Sequence, residues 1–144
     1  MVAAMKSPAA TLAAALQGRE CRIRRRDADW SFDFGERLNI AVSVPWRVVT
    51  ADGIAHGDQD DGQWFGLAEP VDGEARTNKL LEGQKVIGVE LDAQTADLRL
   101  AFDGGARLDL FNNSSGYEGW QASVPADGME LTVIALGGGG LATH

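Results

Sequence analysis

Few side chains in this sequence could carry acid–base or nucleophilic chemistry. There is one cysteine, Cys21, and there are two histidines, His56 and His144. His144 is the final residue, which leaves His56 as the candidate base. A nucleophile needs a base within hydrogen-bond reach and a third group to orient that base. Cys21 lies beside Arg22, and a neighbouring cation lowers a thiol pKa. A small buried strand residue is the plainer reading of Cys21. No catalytic residue is assigned.

Metal and phosphate motifs are equally thin. Asp58-Gln-Asp-Asp-Gly62 resembles the start of a calcium loop, with Asp58, Asp60 and Glu69 at the first, third and twelfth positions. The fifth position is Gly62, and Gln63 stands where the sharp turn needs glycine. Asp58, Asp60 and Glu69 are therefore weak metal candidates, and neither a metal nor a cofactor is expected. Gly137-Gly-Gly-Gly140 follows a predicted strand, but no helix follows it to present amides to a phosphate. A loose tail over residues 136–144 is expected.

Four other groups could bind a ligand or a partner. Arg22, Arg24 and Arg26 alternate, so a strand puts them on one face; a solvated face or pairing with nearby acids is the favoured reading. Trp64-Phe65 stands in a stretch of acids and glycines, either pinned into the core or exposed for a partner. Anchoring in the core is favoured. Tyr117-Glu118 precedes Trp120, and a strand would put Glu118 and Trp120 on one face. Arg107 is a further polar candidate. The binding candidates are thus Glu118, Tyr117, Trp64, Phe65 and Arg107.

The elements that position these residues read mostly as strands. Leu98, Leu100 and Phe102 alternate with polar or small residues, and so do Leu108 and Leu110, the period of a half-buried strand. Asp103-Gly104-Gly105 supplies the turn. Strands are expected near 98–103, 106–111 and 118–124, joined as one meander through the polar turn Asn112–Gly116. Trp30, Phe32 and Phe34 form an arm, and Leu38, Ile40, Val42 and Val44 form its return. Ser7 caps a helix that starts at Pro8 and ends at Gly18. This is a better reading of Met1–Leu16 than a signal peptide, because Pro8 interrupts the run and no strongly apolar core is present. A second helix is expected over 77–82, ended by Gly83. Residues 51–75 hold seven acids and no Lys or Arg, which predicts an acidic mobile loop.

The two halves also match. Leu16-Gln-Gly18 pairs with Leu81-Glu-Gly83, Phe32-Asp33 with Phe102-Asp103, and Gly35–Ile40 with Gly105–Leu110. Trp46 pairs with Trp120, and Ala51-Asp-Gly53 with Ala126-Asp-Gly128. The expectation is a single α+β, mainly β domain over 1–144. It would comprise two tandem helix-plus-meander repeats (about 8–57 and 76–141) packed into a sandwich or barrel-like sheet.

A resemblance follows from these residues. A helix ending Leu80-Leu-Glu-Gly83, Phe102-Asp-Gly-Gly105, Tyr117-Glu-Gly-Trp120, an Asp-Gly turn and a glycine-rich final segment occur in that order. The pattern resembles a family of small uncharacterised bacterial proteins, a domain of unknown function. It covers most of 78–141 and, more weakly, 16–55. Leu141-Ala-Thr replaces the closing aromatic usual in that family. The resemblance implies a shared fold and a bacterial intracellular setting, and no activity.

With 144 residues the chain can bury a core without a metal or disulfide staple. One cysteine permits no internal disulfide and fits a cytoplasmic setting. A net charge of −8 argues against nucleic acid, and no stretch reaches the length of a membrane span. The expected function is a non-enzymatic protein-interaction or regulatory module, of the immunity type or self-associating as a homodimer. The alternative is a small-ligand-binding protein or minor hydrolase with a cleft between the repeats, using Glu118, Tyr117 or Arg107.

Overall fold

A computed structural model describes residues 7–144. Helix α1 (Pro8–Leu16) is followed by β1 (Arg22–Arg25), β2 (Trp30–Asp33), β3 (Asn39–Val42), β4 (Trp46–Thr50) and β5 (Gly53–Gly57). A single 3₁₀ turn (Asp58–Asp60) and a loop lead to α2 (Gly73–Leu81). Then come β6 (Val86–Leu91), β7 (Leu98–Phe102), β8 (Arg107–Leu110), β9 (Trp120–Ala126), β10 (Met129–Ala135) and β11 (Leu141–Thr143). The protein is mainly β, as its patterning implies. The first six residues of the Met1–Leu16 run lie outside the described residues.

The strands form two antiparallel sheets, not a closed barrel. One has the order β1-β2-β3-β9-β10-β11, the other β5-β4-β8-β7-β6. Each sheet therefore mixes strands from both halves of the chain. This corrects the expected meander over 98–124, because β8 pairs with β4 while β9 leaves for β3 and β10. The physical reason is the link between β8 and β9. Residues 111–119 are too many for a tight hairpin and long enough to cross the ~10 Å between stacked sheets. Asn112 ties that link down, donating from Nδ2 to the carbonyls of Thr95 and Leu136.

One apolar core joins the two sheets and both helices. Leu98, Leu100 and Phe102 of β7 are buried, with Arg99 exposed between them, as a period of two demands. Trp46 of β4 meets Trp30 and Phe32 of β2 edge to face, with centroids 5.1 and 5.2 Å apart. Trp120 of β9 donates its indole N–H to the Ala96 carbonyl, 2.9 Å away, in the β6–β7 loop.

Three further expectations are corrected. The 51–75 stretch is not one mobile loop: Gly53–Gly57 forms β5, paired with β4. Helix α2 begins at Gly73 rather than Thr77, because Asp72 accepts from the Ala75 N–H and caps it. Residues 136–144 are not a loose tail. Leu141–Thr143 pairs with Val133–Ala135, and the Gly138 N–H donates to the Ser114 carbonyl at 2.8 Å. A Cβ on Gly137 would strike the Gly116 backbone, so glycine there permits a close approach of two loops.

Candidate functional site

Arg107 is the sequence candidate around which the structure assembles the most chemistry. Asp109 lies two residues on in β8, facing the same way, away from the core. In register it stands opposite Arg47 of β4 and Arg99 of β7. All three guanidiniums turn inward to it. Arg107 donates from Nε (2.9 Å) and Nη2 (3.0 Å), Arg47 from Nε (3.0 Å) and Arg99 from Nε (3.2 Å). The carboxylate is only 2% exposed, although it sits on the outer face of a sheet. Burial pushes its pKa up, but the hydrogen bonds from Arg107 and Arg47 outweigh this and hold it below the usual carboxylate value. The same bonds raise Arg107. Arg47 is braced further by Phe111, whose ring centroid lies 5.0 Å from its guanidinium.

The alternation of β8 puts Asp109 on the outer face, where nothing in the sequence distinguishes it from an ordinary exposed acid. The missing information was register: only the pairing of β4 with β8 brings Arg47 to it.

Trp64 and Phe65 are not anchored in the core. They are 57% and 64% exposed, and Leu67 beside them is also exposed. Their loop is nonetheless well defined. The Leu67 N–H donates to the Trp64 carbonyl at 2.7 Å across a four-residue turn, with Phe65 at φ +44° and Gly66 at φ +74°. Two positive φ values in succession are the signature of a type I′ turn, which favours small residues. A phenylalanine there is strained, on the order of 1 kcal/mol. The stem is closed by two bonds, from Gly62 N–H to the Val71 carbonyl and from Val71 N–H to the Gln63 carbonyl.

The base of this loop is held by Arg25, not by the expected Arg22, Arg24 and Arg26 face. Arg25 Nε donates to Asp61 at 2.9 Å, and its Nη2 reaches Asp72. Arg26 forms a two-bond pair with Asp29. Pairing with the acidic stretch is thus real but falls to one arginine, because Ile23 is the core-facing residue of β1 and Arg25 is its last.

The remaining candidates are dispersed. Tyr117 is 82% exposed. Glu118 is also exposed and accepts from Gln121 Nε2 at 3.0 Å. Strand β9 starts only at Trp120, so Glu118 does not share a strand face with it. No hydrogen bond or ion pair links Arg107 to Tyr117 or Glu118 among the described residues. Asp58 and Asp60 turn inward to backbone amides: Asp58 accepts from the Trp46 N–H and Asp60 from the Gly57 N–H. Glu69 is exposed in the loop beyond them. No group of three potential metal ligands occurs among the described residues.

His56 is fully buried on β5, 5.5 Å from the Trp46 ring, and neither ring nitrogen has a hydrogen-bond partner. Burial lowers its pKa, against the nearby carboxylate of Asp60. A base must reach its substrate proton, and this imidazole reaches no surface. Cys21 is buried too. Desolvation pushes its thiol far up and Asp33 adds to the effect, the reverse of an activated nucleophile. A hollow of about 1010 Å³ lies between α2 and the β1–β2 arm and takes in Cys21, Asp33, Asn78 and Lys79. Asn78 is occupied there, bonding both the N–H and the carbonyl of Ile23 and so covering the free edge of β1.

No described helix is long and apolar enough to cross a membrane. Comparison of the chain with protein-family models, with curated proteins and with solved structures gives no match.

Proposed function

We propose that the protein is a non-enzymatic interaction or regulatory module whose contact is the Trp64-Phe65-Gly66-Leu67 turn. One observation carries this reading: a strained, hydrogen-bonded turn holds three large apolar side chains in water. Leaving such side chains exposed forgoes roughly 1.5–3 kcal/mol each. A partner surface recovers that energy, and aromatic anchors on a preorganised loop are what interface hot spots use. The thin catalytic inventory supports the same reading. His56 and Cys21, the residues best suited to nucleophilic work, are buried and inert as placed.

The setting fits a cytoplasmic bacterial protein of the family resembled above, acting on another protein in the manner of an immunity protein or on a second copy of itself. We read the chain as a tandem duplication in which the copies exchange hairpins. The sheet orders support this: β1-β2-β3 takes in β9-β10, and β8-β7-β6 takes in β4-β5. The hairpin turns match as well. Phe34 N–H donates to Leu38 O, and Phe102 N–H donates to Ala106 O. That equates Phe34 with Phe102, two residues away from the sequence match of Phe32 with Phe102.

Native mass spectrometry and sedimentation velocity of the purified protein test the reading. The wild type should show a dimer or a co-purifying protein that the double variant Trp64→Ala/Phe65→Ala lacks, at an unchanged thermal midpoint. An identical assembly state in both proteins removes the turn as the contact.

A further inference from the structure

The outer face of β4, β8 and β7 carries a charge pattern that stability does not require. Exchanging a buried ion pair for apolar residues of similar volume is often neutral or stabilising. Asp109 beneath three arginines at the middle of a sheet is therefore poorly explained as glue. What the carboxylate does is aim guanidiniums. Arg47 and Arg99 each give it only Nε, and no described residue accepts from their Nη groups. The three arginine side chains are 33%, 47% and 34% exposed. Three planar donors thus converge on one point, with donor capacity left over toward solvent.

Beside this point lies a hollow of about 230 Å³, walled by Arg99, Phe111 and four carboxylates, Glu90, Asp92, Asp97 and Asp109. Three of those carboxylates are engaged: Asp109 is held by the arginines, Asp92 accepts from the Gln94 and Thr95 N–H groups, and Asp97 accepts from the Asn112 N–H. Glu90 is not. It faces Arg99 in register across β6 and β7, yet no ion pair joins them, because Arg99 Nε is turned to Asp109. An uncommitted carboxylate, Glu90, and the uncommitted Nη donors of Arg99 therefore border one small hollow, with Arg47 and Arg107 on the sheet face beside it.

We propose that this face binds a small zwitterion, a phosphate monoester bearing a primary amine. The phosphate takes the outward guanidinium donors, and the amine lies against Glu90. Phosphate suits the site better than carboxylate, since one carboxylate is satisfied by one bidentate arginine, whereas several guanidiniums match a doubly charged group with more oxygens. A small ligand suits it better than an acidic protein, because a chain of net charge −8 repels an acidic macromolecule at long range. The amine is what Glu90 selects. A plain phosphate would meet that carboxylate unpaired.

Isothermal titration with O-phosphoethanolamine, inorganic phosphate, β-alanine and ethanolamine tests this. O-phosphoethanolamine should bind tightest, phosphate more weakly, and the other two not measurably. Arg99→Gln and Glu90→Gln should each weaken O-phosphoethanolamine by about tenfold or more, the worth of a charged hydrogen bond. Glu90→Gln should leave phosphate binding equal or tighter. Both variants leave Asp109 held by Arg47 and Arg107, and an unchanged thermal midpoint verifies their fold. Absence of O-phosphoethanolamine binding, equal binding of β-alanine, or indifference to both substitutions overturns the proposal.

Discussion

Asp61 accepts two hydrogen bonds at once, from Arg25 Nε at 2.9 Å and from the Gly73 N–H at 2.8 Å. One carboxylate therefore joins the end of β1, the start of α2 and the stem of the loop that displays Trp64 and Phe65. The ion pair is partly exposed and is worth little by itself. The bond to the Gly73 amide, which an unpartnered helix start would lack, is the larger part. Asp61→Ala should lower stability by about 1–2 kcal/mol. It should also speed chymotryptic cleavage within 64–67 severalfold relative to the wild type. Unchanged cleavage would mean that the Gly62–Val71 stem alone holds the turn.

Acid should weaken the protein in two separate windows. His56 is buried neutral, so its folded pKa lies below its unfolded value near 6.5. Protons then bind the unfolded state first, and stability falls as pH drops below about 6.5. The loss between pH 7 and pH 5.5 is at most about 1.3 kcal/mol, the limit set by the unfolded value. Asp109 and Asp72 are also held below their usual values, Asp72 chiefly by the Ala75 N–H, but they titrate in a lower range. Their contribution is intact above about pH 4 and disappears only below it. Urea denaturation at pH 7.5, 6.5 and 5.5 reads the first window. His56→Leu should flatten it and be neutral or stabilising at pH 7.5, since no hydrogen bond is lost. A wild-type curve that is flat over this range refutes the assignment to His56.

What the sequence made legible was local. The Leu98–Phe102 and Leu108–Leu110 alternations, the Asp103–Gly105 turn and the Ser7–Pro8 helix start each depend on residues a few positions apart, and each appears where it was expected. Sheet membership was not legible. Whether β9 pairs with β8 or with β3 depends on where the Asn112–Gly119 link is anchored, and that is set by contacts with Thr95 and Leu136. The same gap hid the Asp109 cluster. Arg99, Arg107 and Asp109 are visible on two neighbouring strands, but Arg47 joins them from a strand assigned to the other half of the chain. Trp64 and Phe65 were misplaced for a different reason. Burial is the default for two adjacent aromatics, and only the turn conformation at Phe65 and Gly66 turns them outward.

Asp109→Asn should be more damaging than any single arginine substitution around it. Removing the one carboxylate leaves three guanidiniums in mutual repulsion, whereas removing one guanidinium leaves the acid with two partners. Loss of one member of a fully buried pair costs about 3–5 kcal/mol. The arginines here can swing toward water, which reduces the expected loss to about 2 kcal/mol. Arg99→Gln should stay within about 1 kcal/mol, as its pair is the longest and its side chain the most exposed. Guanidinium-free denaturation in urea measures both, and the order of the two losses is the test.

Trp46 and Trp120 give the sharpest comparison, because the same chemical change should have unequal effects. Both are buried, and each begins its strand. Trp120 donates its indole N–H to the Ala96 carbonyl, and Ala96 is itself buried at φ +64°. The Trp46 indole N–H has no hydrogen-bond partner. Trp120→Phe therefore removes volume and also orphans a buried carbonyl. Trp46→Phe removes volume together with a buried donor that was already unsatisfied. The cavity term is common to both, about 1–3 kcal/mol for so partial a truncation. The difference between them isolates the hydrogen bond, and Trp120→Phe should be the worse by about 1–2 kcal/mol. Urea midpoints of the two variants at pH 7.5 decide it. Equal losses would mean that the Trp46 N–H is satisfied by a group other than a conventional acceptor, such as the face of the Trp30 or Phe32 ring that it meets edge-on.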